Sequence, residues 1–144
     1  MLKIRKDQIE LFNPDAEAAF VRRVMSYLRE RHGDKTVRLP DGAGVITELP
    51  EETLRPMVED GIARARDYGM TWQSSLISYV VLMFLTAPNF DEHRAVAEYL
   101  RNEKIEADRR VDKMMDELPN KVWQEVEKIY EPRDWKLSAE LETV

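Results

Sequence analysis

The sequence predicts an all-α fold: a compact helical bundle around a buried central helix at about residues 72–87, with a small β-hairpin or ordered loop at 36–49. Three observations predict it. The run from Leu76 to Ala87 is apolar on every side rather than along one stripe, the pattern of a helix buried all round. On both sides of that run, apolar residues recur at three- and four-residue spacing, the period of an amphipathic helix. Asn, Pro and Gly stand at the joints between these segments, where helices start and stop.

The elements follow in order. Residues 1–12 read as a short amphipathic helix with Ile4, Ile9, Leu11 and Phe12 as its apolar members. Asn13-Pro14 restarts the chain, because Asn satisfies orphan amides and Pro loses nothing at the first helical position. The helix through Arg31 places Phe20, Val21, Val24 and Leu28 on one face, and Gly33 closes it. Residues 36–49 place β-branched residues around Pro40-Asp41-Gly42, a turn signal. From about Thr53, Leu54, Met57, Val58, Ile62 and Ala65 share one face, and Pro56 fits only the first turn. Gly61 on that face would let another helix approach closely, and Gly69 is the expected stop. Thr71 then caps the central helix, whose exit is Ala87-Pro88-Asn89.

A helix over Asp91–Arg101 turns Val96, Ala97 and Leu100 inward. Another over Ile105–Leu118 does so with Val111, Met114, Met115 and Leu118. Pro119 breaks it and Asn120 recaps a last helix, lined by Val122, Trp123, Val126, Ile129 and Tyr130 and ending near Pro132. Residues 1–132 therefore read as a single helical domain. Residues 133–144 read as a C-terminal tail expected to be mobile, although Trp135 would gain from docking.

The 144 residues are 43% hydrophobic and 35% charged, the balance of a globule with a dense charged exterior. With no cysteine, disulfides, thiolate metal sites and thiol catalysis are excluded, and the expected location is the cytoplasm. The first residues carry positive charge without an apolar run, so they do not read as a secretory signal. Leu76–Ala87 falls short of the ~20 residues that span a bilayer. Net charge is −6, and residues 73–144 hold 10 Lys/Arg against 15 Asp/Glu, whereas residues 1–72 hold 12 against 13. The acidic second half repels nucleic acid and anionic membranes and favours a basic protein partner.

Candidate chemistry is sparse. His32 ends a helix, where a cation satisfies the last carbonyls. Asp91-Glu92-His93 could supply metal ligands, but zinc requires three or four convergent ones, so no metal and no cofactor is expected. Nothing in the spacing brings a histidine to Ser74, Ser75 or Ser78. Gly42-Ala43-Gly44 lacks the Gly-Lys-Ser/Thr of a phosphate loop and leads into β-branched residues. Arg22, Arg23, Arg29, Arg64 and Arg66 are mixed with acids and lack interleaved aromatics, unlike a nucleic-acid surface. Met83, Met114 and Met115 could form an adaptable groove, although each lies on an inward stripe. Asp108, Asp112 and Asp116 form a row of like charges at i, i+4 and i+8. Such a row reads either as a docking strip for a basic partner or as a solvated face relieved by Arg109, Arg110 and Lys113.

At Gly61-Ile62-Ala63-Arg64-Ala65-Arg66-Asp67-Tyr68-Gly69-Met70-Thr71, Tyr79-Val80-Val81-Leu82-Met83-Phe84 and Phe90-Asp91, with Phe20-Val21-Arg22-Arg23 and Tyr27-Leu28-Arg29 before them, the chain resembles a family of small all-helical bacterial proteins encoded beside type VI secretion toxins. The resemblance covers about residues 1–118. It implies a non-catalytic protein-binding accessory whose partner is a toxin or spike component, and it carries no catalytic residues. Two versions follow: an immunity protein that neutralises a co-encoded toxin, or an adaptor that loads the toxin onto the secretion spike. A hydrolase of unknown substrate is the remote alternative.

Overall fold

The structure, a computed structural model, describes residues 13–137. The helix expected over residues 1–12 and the chain beyond residue 137 lie outside the described residues. Among the described residues six helices are α1 (Pro14–His32), α2 (Glu51–Asp67), α3 (Gln73–Leu85), α4 (Arg94–Leu100), α5 (Arg110–Glu117) and α6 (Asn120–Lys128). An antiparallel hairpin, β1 (Thr36–Leu39) and β2 (Gly42–Val45), lies between α1 and α2. The described residues are thus mostly helical, as the sequence predicts.

Asn13 starts α1 as its chemistry requires: its side-chain oxygen accepts from the amides of Asp15 at 2.9 Å and Ala16 at 3.2 Å. Phe20, Val21, Val24, Met25 and Leu28 are buried. The helix ends at His32, but Gly33 is right-handed, with φ −62°. A Cβ there would meet Thr47 Cγ2 at 2.2 Å, so the glycine is required by the close return of the chain after the hairpin. Within the hairpin Thr36 pairs Val45 and Leu39 pairs Gly42, and Val37 and Ile46 anchor the ribbon in the core.

α2 begins at Glu51, two residues earlier than expected, so Pro56 lies inside the helix rather than in its first turn. Having no N–H, Pro56 leaves the carbonyl of exposed Glu52 without its helical bond. Leu54, Met57, Val58, Ile62 and Ala65 face the core as expected. Gly61 lies against α3, where a Cβ would stand 3.0 Å from both Met83 Sδ and Val80 Cγ2. At the exit, Gly69 has φ +95°. The amide of Met70 donates to Ala65 O at 3.2 Å and that of Gly69 to Arg66 O at 2.9 Å, the paired bonds of a Schellman stop.

α3 spans Gln73–Leu85, inside the expected 72–87. Leu76, Tyr79, Val80, Leu82, Met83 and Phe84 are buried, whereas Ile77, Ser78, Val81 and Leu85 keep partial exposure, so the helix has an outer flank rather than burial on every side. Thr71 does not cap it. The N-cap position is Trp72, with no side-chain cap of its own.

The later elements are shorter than their periodicity suggests. Phe90–Glu92 is a 3-10 turn, and α4 starts only after His93. Of the residues expected inward, Val96 and Leu100 are buried and Ala97 is half-buried. Ala107–Arg109 is likewise a 3-10 turn before α5. Met115, expected in the core, is 51% exposed, because it stands at the edge of the Val111–Met114 stripe rather than on it. α6 starts on Pro119, not on a cap from Asn120, and ends at Lys128. Only Val126 of its expected inward set is buried, and Ile129 is exposed. Beyond residue 132, Trp135 is buried and packs its ring 4.7 Å from that of Phe84.

Candidate functional site

The charge pattern singles out Asp108, Asp112 and Asp116, and the fold treats the three aspartates differently. Asp108 sits in the 3-10 turn before α5, so the row is not on one helix flank. Its Oδ1 accepts from the amides of Thr71 and Trp72, each at 2.8 Å, and its Oδ2 from the Thr71 hydroxyl at 3.0 Å. In return Ser75 donates its hydroxyl to Asp108 O at 2.8 Å. A carboxylate at that place also faces the positive end of the α3 dipole. Asp108 therefore ties down, from 36 and 37 residues away, the Thr71–Trp72 step that leads into α3, while the first-turn amides of α3 receive no side-chain cap.

Asp112 and Asp116 are exposed and enter no ion pair or hydrogen bond among the described residues. The three cations expected to relieve them are used elsewhere. Arg109 pairs with Glu106 at 3.6 Å and lies over the ring of exposed Trp72 at 5.3 Å. Lys113 pairs with Glu117 at 3.1 Å. Arg110 turns inward and donates to Ile105 O at 2.9 Å, Tyr68 O at 3.0 Å and Leu100 O at 2.8 Å. Asp112 and Asp116 thus border a shallow depression lined also by Lys104, Ile105, Glu106, Arg109, Lys113 and Glu117. Met115 stands beside them on the same helix.

The other candidates are built into the fold. His93 accepts the Ala95 amide at Nδ1, 3.1 Å, so its Nε2 carries the proton and donates to Glu125 at 2.8 Å. That bond holds the Glu125 carboxyl below the usual carboxylate range. Asp91 accepts from the Tyr68 hydroxyl at 2.7 Å. Burial, aided by this bond to a carboxylate, pushes the Tyr68 hydroxyl up to about 12. Among the described residues no group of three or more His, Asp or Glu could hold a metal ion. His32 lies beside Tyr27, ring centroids 6.0 Å apart. Gly42, Ala43 and Gly44 belong to β2.

The arginines of the supposed basic patch are largely clamps. Arg64 donates to Pro88 O at 2.9 Å and Asp134 O at 2.8 Å, and pairs with Asp60 at 2.9 Å. Arg66 grips Glu17 through two bonds of 2.8 and 2.9 Å, joining α2 to α1, and Arg29 donates to Leu49 O at 2.8 Å. The clamps that matter most, Arg110 and Asn89, escaped the sequence reading. Each serves backbone groups distant in sequence, and no local pattern marks such a residue.

Tyr79 is fully buried, yet its hydroxyl has no hydrogen-bond partner among the described residues. Burial, with the Asp91 charge nearby, raises its pKa well above the ordinary tyrosine value. Because a buried hydroxyl without a partner costs free energy, Tyr79→Phe is expected to raise unfolding stability by about 1 kcal/mol. Urea denaturation checks this, and a loss of similar size would show that the hydroxyl is satisfied in solution.

Compared with protein-family models, with curated proteins and with solved structures, the chain matches none of them.

Proposed function

We propose that this chain is a non-catalytic protein-binding accessory of a bacterial type VI secretion toxin system, an immunity protein that neutralises a co-encoded toxin in the cytoplasm. One observation carries the reading. Asp112 and Asp116 face solvent while Arg109, Lys113 and Arg110 beside them are engaged with other groups, and the depression they border sets the four carboxylates of Glu106, Asp112, Asp116 and Glu117 against the three cations of Lys104, Arg109 and Lys113, a net negative edge available to a basic partner. Exposed Trp72, Arg109 and Met115 adjoin it, residue types enriched where proteins meet. The family resemblance supplies the toxin setting. Commitment of both His93 nitrogens to structural bonds favours binding over bond-making chemistry. No helix among the described residues is long and apolar enough to cross a membrane.

Coexpression with the toxin encoded beside this chain tests the reading. Restored growth is the expected result, whereas unchanged killing with lost toxin secretion on deletion would favour the adaptor version. Asp108 is unsuitable for probing the surface, since removing its carboxylate frees the step that leads into α3. Asp112→Lys with Asp116→Lys is the appropriate pair. It is expected to leave the melting temperature within a few degrees of wild type, as surface changes do, and to abolish rescue.

A further inference from the structure

We propose that residues 119–137 form a latch that opens as a unit about the Leu118–Pro119 joint while α1 to α5 remain folded. The proposal is independent of the toxin-binding reading. The first observation is how little the segment buries. α2 commits Leu54, Met57, Val58, Ile62 and Ala65 to the core, and α3 commits Leu76, Tyr79, Val80, Leu82, Met83 and Phe84. Across residues 119–137 only Val126 and Trp135 are buried to that degree, while Val122, Trp123, Tyr130 and Leu137 are partly covered and Ile129 is exposed. Elements with few buried apolar contacts open at lower cost than the core.

The second observation is that polar ties hold the segment in place. Buried Asn89 is the centre: its Nδ2 donates to Ile129 O at 2.9 Å and to Glu92 at 3.1 Å, and its Oδ1 accepts the Glu131 amide at 3.0 Å. One side chain thus closes the end of α6 and the chain that follows. Arg64 holds Asp134 O at 2.8 Å. Tyr130 donates to Arg38 O at 2.8 Å under the Arg38 guanidinium, and Trp135 Nε1 donates to the Tyr130 hydroxyl at 2.8 Å. Glu125 accepts from His93. When the segment opens, these bonds are exchanged for bonds to water at modest net cost each.

The third observation is the joint. Leu118 and Pro119 are both extended, with ψ 133° and 159°, between two helices of eight and nine residues. Rotation there carries α6 away without unwinding α5. Opening would uncover the Phe84 ring beneath Trp135 and the amide of Asn89.

Native-state hydrogen exchange of the full chain over a series of low denaturant concentrations tests this. In the wild type, α6 amides are expected to exchange at least about a hundredfold faster than α3 amides, with a shallower denaturant dependence. Asn89→Ala is expected to speed α6 exchange by a further tenfold or so, and α3 exchange, which passes through global unfolding from the same weakened native state, by no more than that factor. Shared rates and shared denaturant slopes for α6 and α3 in the wild type would overturn the latch. Unchanged α6 exchange in Asn89→Ala would overturn it too.

Discussion

Phe90→Ala is expected to lower the free energy of unfolding by about 3–5 kcal/mol, the range for truncating a fully buried aromatic residue. Phe90 lies in the 3-10 turn between α3 and α4 and has no solvent exposure. Its ring meets that of Tyr79 at 4.9 Å and a tilt of 55°, a geometry that adds to area burial. The chain entering the turn is fixed by Arg64 on Pro88 O and by Asn89 on Ile129 O, and its exit by His93 on Glu125, so the surroundings have little freedom to close over the void. Urea denaturation measures the loss. A change below about 1 kcal/mol would mean that the turn collapses and that the α3–α4 junction is soft.

Arg110→Met is expected to cost about 2–4 kcal/mol, since bonds from a charged donor contribute more than neutral ones and three partly buried carbonyls lose their partner together. Those carbonyls belong to Tyr68 after α2, Leu100 at the end of α4, and Ile105 in the loop before α5. Helix ends leave such carbonyls unsatisfied, and one guanidinium closes two of these ends at once. Arg110→Lys should recover only part of the loss, because an ammonium lacks the planar fork that reaches several acceptors in fixed directions. Equal stability of the Lys variant and the wild type in the same titration would show that charge alone suffices.

Sequence patterns revealed what short-range physics determines. The Asn13 cap, the Gly69 stop, the buried stripes of α1 and α2 and the close approach at Gly61 each follow from residues within a few positions of one another. α3 was visible by its apolar content, but its half-exposed side, Ile77, Ser78, Val81 and Leu85, was not, because a run apolar all round carries no phase. The C-terminal half was less legible. Period placed Met115 inward, yet α5 is only eight residues long, too short for the period to fix which edge of the stripe meets the core. The aspartate row looked uniform in sequence and is not. Asp108 ties down the step into α3 through residues 36 and 37 positions away, a partnership that spacing within one helix cannot show. Phe90 stood out only through the family resemblance, since a loop residue belongs to no stripe.

Calorimetric titration of this protein with the toxin encoded beside it, at low and at physiological ionic strength, bears most directly on whether the α5 flank docks a basic partner. The expected result is a one-to-one complex that salt weakens and that Asp112→Lys with Asp116→Lys weakens at least about tenfold at low salt. Equal affinity of the double variant and the wild type at low salt, with both folded, would contradict it.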